Sequence, residues 1–240
     1  MKDDSMEFNF HVPHPPGSDV RQVTSQEVER ILLAQLAQAQ DDPAQALWNL
    51  AQFYKRSGKL GRATEILRDL LARTSDPEPR AQIVLTLGQA AEQASDYELA
   101  VHFYREALVM EPCDPMHWYL IHNNLGFSLN KLGQFAQGEE YCRRAIAIDP
   151  ARPNAHKNLG LALCGQMRNK EAADAFVRAT MADAADDRAF QHLEKLLAEH
   201  PDLEPEFAAP LRACRNAVQA AKEATATVWE DWHKGRQKSK

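Results

Sequence analysis

The chain has 240 residues, of which 44% are hydrophobic, so it is long enough to bury a sizeable core. Its net charge of −6 argues against a dedicated nucleic-acid binder, because the phosphate backbone attracts basic surfaces. The four cysteines stand far apart without a Cys-x-x-Cys pair, which favours reduced thiols and a cytoplasmic protein over a disulfide framework. No apolar run approaches the length that a membrane span needs, and the first residues lack an apolar core. We therefore expect neither a membrane segment nor a signal peptide.

The N-terminal part of the sequence divides into an arm and a helix. Residues 1–22 lack a helical period and contain a His-Pro-Pro-Gly stretch, which is typical of a disordered arm. Thr24 and Glu27 then have the spacing of a capping box, in which each side chain accepts a hydrogen bond from the backbone of the other residue. The box and the apolar residues that follow it predict a helix over 25–40.

The stretch 123–150 has the pattern of two short helices joined by a tight turn. Leu125, Leu129 and Leu132 recur at steps of four and three, which is one face of an amphipathic helix. Gly133 follows, and glycine is the residue that most readily takes the left-handed conformation at a helix C-terminus. A second apolar stripe comes after the turn. Two helices cannot bury both stripes alone, so this hairpin needs neighbours.

Small and bulky residues recur along the chain in the same order, at steps near 34 residues. In each copy a small residue in the first helix is matched by a bulky residue in the second. The small residues are Ala51, Gly88, Gly126 and Gly160, and the bulky ones are Leu67, Tyr104, Cys142 and Phe176. This pattern resembles the tetratricopeptide repeat, a helical hairpin that stacks on its own copies.

The resemblance covers 44–186 and implies an all-α fold, a right-handed superhelical solenoid of helical hairpins. The four copies are 44–77, 81–114, 119–152 and 153–186. Because the ends of a solenoid need cover, we interpret 23–43 as an N-terminal capping helix. We interpret 187–233 as a partial fifth repeat followed by a C-terminal capping helix, and 234–240 as a basic tail. The fourth copy has Met167 where the family has a turn glycine, so the register of its second helix is harder to assign.

Small or apolar residues recur over 205–233 at alternating steps of four and three, which is the spacing of a coiled-coil seam. We favour a helix that lies along the last repeat, since Ala221 and Thr225 give the seam little apolar area. The sequence thus predicts a monomer, and a coiled-coil dimer is the alternative.

The sequence contains no phosphate-binding loop, zinc-protease motif or nucleophile elbow, so we expect no catalysis, cofactor or metal. His122 and His156 occupy the same position in adjacent repeats. We interpret them as packed histidines, and a metal-binding or pH-sensing pair is the alternative.

In the family, six positions of each first helix line a concave groove that holds a partner. Carried over to this chain, they form a set with six cations and the single anion Glu92, a net charge of +5. The residues that we predict to contact a peptide are Asn49, Gln52, Gln89, Asn123, Asn124, Phe127, Lys131, Asn154, Lys157, Asn158, Arg188 and His192. Amides suit a peptide backbone and cations suit carboxylates. The resemblance therefore implies a non-catalytic scaffold for an acidic protein or peptide, extended or helical, with neither nucleic acid nor membrane as partner.

Two other functions fit the same residues. One is a regulatory or substrate-recruiting subunit of an enzyme complex. The other is a co-chaperone with the two-carboxylate clamp of its family, here incomplete. Asn123 and Phe127 stand where the clamp has Lys and Asn, whereas Asn158, Arg188 and His192 agree better with it.

Overall fold

The computed structural model describes residues 24–39 and 42–237, with side chains up to residue 228. Within those ranges the regular structure is helical, which confirms the predicted all-α class. The arm 1–22 and residues 238–240 of the basic tail lie outside the described residues. The α-helices are α1 (Ser25–Gln38), α2 (Ala44–Arg56), α3 (Leu60–Arg73), α4 (Pro77–Gln93), α5 (Tyr97–Val109), α6 (Pro115–Lys131), α7 (Phe135–Ile148), α8 (Pro153–Gly165), α9 (Asn169–Ala182), α10 (Arg188–Glu199) and α11 (Glu204–Gln237). A 3₁₀ turn, Pro201–Leu203, precedes α11.

The helices pack as a solenoid of four hairpins, α2–α3, α4–α5, α6–α7 and α8–α9. Each helix from α1 to α10 contacts the next one, and α4 also contacts α6, as α6 contacts α8. The first helices of the second, third and fourth hairpins therefore lie side by side. We call the face lined by α2, α4, α6, α8 and α10 the groove.

In three of the hairpins, a glycine of the first helix packs directly against a side chain of the second helix. A methyl group on Gly160 would lie 2.5 Å from the Phe176 ring, and one on Gly88 would overlap the Tyr104 ring. The equivalent atom on Gly126 would lie 2.6 Å from the sulfur of Cys142. Glycine is needed at these positions because paired helices pack too closely for a side chain. The sequence pattern of small and bulky residues is thus the contact surface within each hairpin.

A left-handed residue turns the chain at the same place in all four hairpins. It is Gly58 (φ 74°), Ser95 (φ 63°), Gly133 (φ 73°) or Met167 (φ 60°). The amide of Met167 donates to the Cys164 carbonyl at 2.9 Å, as the amide of Gly133 donates to the carbonyl of Asn130. The fourth hairpin therefore keeps the turn geometry of the others, although a side chain at positive φ costs conformational energy.

Met167→Gly is expected to raise the free energy of unfolding by about 0.5–1 kcal/mol, because glycine relieves the left-handed strain. The greater backbone entropy of glycine in the unfolded chain offsets only part of this stabilisation. The Met167 side chain is 85% exposed, so its removal loses little packing. Met181→Gly is the matched control, since Met181 is also exposed but lies within α9. There glycine should lower stability by up to about 1 kcal/mol. Urea denaturation measures both changes, and equal effects at the two sites would contradict the turn geometry.

Helices cover both ends of the four hairpins. At one end α1 begins with the capping box of Thr24 and Glu27, and its Leu32 packs near Phe53 of α2. At the other end Phe207, Cys214 and Val218 of α11 are buried, and α11 contacts α9 and α10. Over the described part of the chain, no helix combines the length and the apolar character that crossing a membrane requires.

Candidate functional site

The predicted contact residues lie on the groove helices but differ in how accessible they are. Asn49, Lys131, Asn154 and Arg188 are exposed. Half-buried are Gln52, Gln89, Asn124, Phe127, Lys157 and His192. Two amides are buried, Asn123 at 8% and Asn158 at 3% exposure. A partner could reach most of the set directly, but the two buried amides belong to the groove wall itself.

The amides of α6 and α8 are bonded to one another. The Asn158 side-chain nitrogen donates to Asn123 Oδ1 at 3.0 Å, and Asn123 Nδ2 donates to Asn124 Oδ1 at 2.9 Å. Asn130 Nδ2 donates to the backbone carbonyl of Asn158 at 2.8 Å. This amide chain joins the third repeat to the fourth. Two acceptors in it, Asn130 Oδ1 and Asn158 Oδ1, are buried without a hydrogen-bond partner, which is costly in a folded protein unless something donates to them.

The anion Glu92 lies under the middle of the groove, where it accepts a hydrogen bond from the Tyr104 hydroxyl at 3.0 Å. Burial raises the pKa of Glu92, while Lys131 and Lys55 act in the opposite direction. Lys55 in turn donates to Gln89 at 2.5 Å, and burial lowers its pKa to about 8. Lys55 and Lys131 therefore lie near enough to Glu92 to offset part of its charge within the protein.

The C-terminal half of the groove is richer in positive charge. Lys157 donates to Asn154 Oδ1 at 3.1 Å. Burial lowers the pKa of Lys157, and the nearby Arg188 lowers it further. Arg188 itself is paired, because its Nε and Nη2 atoms donate to the two oxygens of Asp186 at 2.7 and 2.5 Å. That pairing holds the pKa of the Asp186 carboxyl at about 2.

Two aromatic contacts shape this half of the groove. The His192 ring stacks on Phe176, with ring centres 5.4 Å apart and planes 22° apart. The Lys131 ammonium lies 5.4 Å from the Phe127 ring centre, and the Tyr97 ring centre lies 6.2 Å away with the two planes 75° apart. Phe127 is therefore covered by its own neighbours on two sides.

Sequence reasoning missed Asp186 and the link from Glu92 to Tyr104. Asp186 lies in the loop before α10, outside the six family positions, and it neutralises one of the counted cations. The Asp-x-Arg spacing of 186 and 188 was the available signal. The sequence indicated Glu92 as a groove residue but did not indicate that it is buried. The repeat pattern does not show that the Tyr104 hydroxyl, in the same repeat, donates to it.

His122 and His156 have different surroundings. His122 lies between the rings of Trp118 and Tyr141, at 5.6 and 5.7 Å, and burial lowers its pKa to about 4. His156 Nε2 lies 2.9 Å from the Pro150 carbonyl oxygen. Among the described residues, no three His, Cys, Asp or Glu side chains cluster in a way that could hold a metal ion. His156 is thus held by a backbone contact and His122 by ring packing, with His122 Nδ1 buried without a hydrogen-bond partner.

The residues 119–152, which form α6, α7 and their flanks, match the family model described as tetratricopeptide repeat. A curated relative is small glutamine-rich tetratricopeptide repeat-containing protein 2 of Mycosarcoma maydis, 26% identical over 108 residues, 45% of this chain and 30% of the relative. The protein of the same name from Saccharomyces cerevisiae is 25% identical over 53% of this chain and 36% of its own length. The chain thus spans about a third of the length of these relatives.

Two solved structures share the fold over most of their length. BtubC (BKLC) from P. vanneervenii has a TM-score of 0.63 at 19% identity, covering 85% of this chain and 90% of that one. YrrB has a TM-score of 0.56 at 20% identity, covering 82% and 99%. The chain therefore contains a tetratricopeptide repeat at 119–152, and these likenesses show that it shares the helical solenoid fold of the two structures.

Proposed function

We propose that the chain is a non-catalytic scaffold that binds an acidic protein or peptide segment in its groove. The observation that carries this proposal is the convergence of cations from three successive groove helices. Lys131 of α6, Lys157 of α8, and Arg188 and Lys195 of α10 all act on the pKa of His192. Cations gathered on one wall suit carboxylates, which accept charge-assisted hydrogen bonds.

The unpaired oxygen of Asn158 supports an extended partner. Because this acceptor is buried, a backbone N–H of a bound segment donates to it only once the Asn158 side chain has turned toward the groove. Lys157, the neighbouring residue, then meets a carboxylate beside that backbone. YrrB, which shares the fold, is described as having an unusual peptide-binding site. Binding of a segment in the groove combines backbone recognition with charge recognition.

The groove does not favour a two-carboxylate clamp. The clamp needs a cation at the position of Asn123, which is buried and bonded to Asn124 and Asn158. It also needs an amide at the position of Phe127, which Lys131 and Tyr97 cover. We therefore propose that acidic side chains along a segment are bound in the C-terminal half of the groove.

The cysteines support a non-catalytic role. Burial raises the pKa of Cys142 to about 12 and that of Cys164 to about 11, so both stay protonated thiols at neutral pH. A protonated thiol is a poor nucleophile. All four cysteines are unpaired, which fits the cytoplasmic location that we propose.

The test of the proposed function is to recover partners with the wild-type chain and to titrate each one against a charge-reversed groove variant. A partner that binds in the groove loses affinity when Lys157 is reversed. A partner that binds both variants equally would place its site elsewhere on the solenoid.

We further propose that the chain acts as a monomer, because Phe207, Cys214 and Val218 of the α11 seam are already buried within the chain. Sedimentation equilibrium at micromolar concentration is expected to give a single species of 27.0 kDa. A tight dimer that becomes a monomer when 219–240 is deleted would contradict this expectation and assign the outer part of α11 to self-association.

A further inference from the structure

His192 lies on α10, and cations from three groove helices act on its charge. Its ring is half-buried and rests on Phe176 of α9. Lys131 of α6 and Lys157 of α8 lie near enough to the ring to act on its charge. On its own helix Arg188 and Lys195 lie to either side, one turn away. At His122, by comparison, Arg144 is the one cation that lowers the pKa.

The anions near His192 are fewer and already engaged. Asp186, in the loop before α10, is bonded to Arg188 at 2.5 and 2.7 Å. Glu199 lies 3.8 Å from Lys195, with both side chains mostly exposed. The positive charge that faces His192 therefore exceeds the negative charge available to balance it.

Other charges on or near α10 are paired with α11. Glu194 is 2.9 Å from Arg215, and Asp187 is 2.8 Å from Lys222. These ion pairs join α10 and the residue before it to α11, and they leave the charge balance at His192 unchanged. The groove side of α10 is thus where an added anion would be stabilised most.

Burial lowers the pKa of His192, and the cations Lys157, Lys195, Lys131 and Arg188 lower it further. The imidazole is therefore neutral at neutral pH when the groove is empty. A carboxylate placed among these cations reverses the electrostatic part of this effect, since a negative charge favours the protonated ring. The ring would then gain a proton as the carboxylate binds.

We propose that His192 and the cations around it form a proton-coupled carboxylate site, in which the protonated imidazole joins Lys157 and Lys195 in holding an acidic side chain of the bound segment. This inference rests on the proposed function and adds a regulation to it. The occupant is an aspartate or glutamate of an acidic peptide, and its release is favoured as pH rises.

The sign follows from linkage. Because the bound carboxylate raises the pKa of His192, binding takes up protons between the free and the bound pKa. Affinity therefore increases as pH falls through the bound pKa and levels off below the free pKa. A rise of one unit in the pKa of His192 corresponds to at most a tenfold gain in affinity, which is reached below the free pKa.

The probe for this site is an octapeptide of glutamates with both ends blocked. Its carboxylates stay ionised over this pH range. Calorimetric titration of the full chain is expected to show higher affinity at pH 6 than at pH 8, by up to about tenfold for a pKa rise of one unit. His192→Gln should abolish that difference. His102→Gln is the matched control, because His102 lies on α5 with its side chain 70% exposed, and the pH dependence should persist in this variant.

A second measurement needs no variant. The pKa of His192, followed by NMR of its ring protons, is expected to lie below 6.5 in the free chain and to rise when the octapeptide is added. A pKa that does not move at saturating peptide would overturn the inference, as would unchanged pH dependence in His192→Gln. An octapeptide that fails to bind at any pH also overturns it. The proposed function would still stand if recovered partners lose affinity on reversal of Lys157.

Discussion

Replacing Gly126 by leucine is expected to lower the free energy of unfolding by at least about 1–3 kcal/mol. Even the first carbon of the new side chain would lie 2.6 Å from the Cys142 sulfur, 3.0 Å from the Gly138 carbonyl oxygen and 3.2 Å from the Cys142 amide nitrogen. Two of these three atoms belong to the backbone, so no rotamer change can make room. α6 and α7 would have to separate, which exposes buried Leu125 and Leu129.

The matched control is Gly61→Leu in α3. Gly61 is exposed, and nothing lies within 4 Å of a carbon added to it. Since leucine is a better helix former than glycine, stability should be unchanged or rise by up to about 1 kcal/mol. Urea denaturation followed by far-ultraviolet circular dichroism measures both variants. Equal stability of the two would show that α6 and α7 do not meet at Gly126, and the repeat register would be wrong.

Reversing the charge of Lys157 is expected to weaken binding of an acidic segment by about ten- to a hundredfold. Lys157 is half-buried, and the ammonium lies near Arg188 and Asp186. A partly desolvated, charge-assisted contact is worth roughly 1.5–3 kcal/mol. A glutamate at this position would also repel the carboxylate that the lysine attracts. The dissociation constant of a recovered partner, or of the glutamate octapeptide, measures the effect.

Arg178→Glu is the control for that reversal, because it makes the same change in net charge on α9, whose exposed face lies outside the groove. Its effect should be confined to a small, salt-dependent change in association rate. Equal losses of affinity in the two variants would show that binding depends on overall charge, and would contradict binding in the groove. Melting temperatures close to that of the wild type are needed in both variants, so that a lost fold is not read as lost binding.

The fold was predictable because the close contact that defines each hairpin joins residues near one another in the sequence. The glycines at 126 and 160 and the bulky residues sixteen positions after them meet within one hairpin, so their spacing is visible in the sequence. The turn at Met167 was harder, since methionine has no preference for the left-handed conformation that it takes there. The backbone hydrogen bonds of the turn, which any residue can make, hold it in place.

The site was predictable only in part. Repeat positions indicated which residues face the groove, and the structure brings Asn123, Asn124 and Asn158 into one hydrogen-bonded chain. The partner of each side chain was not predictable. Arg188 was expected to bind a carboxylate of the partner, and it is bonded to Asp186 of its own chain. The hydrogen-bond partner of a side chain depends on its rotamer and on loop geometry, which a repeat pattern does not encode.

The central claim is that acidic segments bind in the groove, and mapping of amide chemical shifts during titration with the glutamate octapeptide tests it most directly. The account predicts that the largest shifts fall on α6, α8 and α10, at Asn124, Lys157, Asn158 and His192, while the exposed faces of α7 and α9 change little. Shifts centred on α7 and α9, around Arg143 and Arg178, with none in the groove, would contradict it.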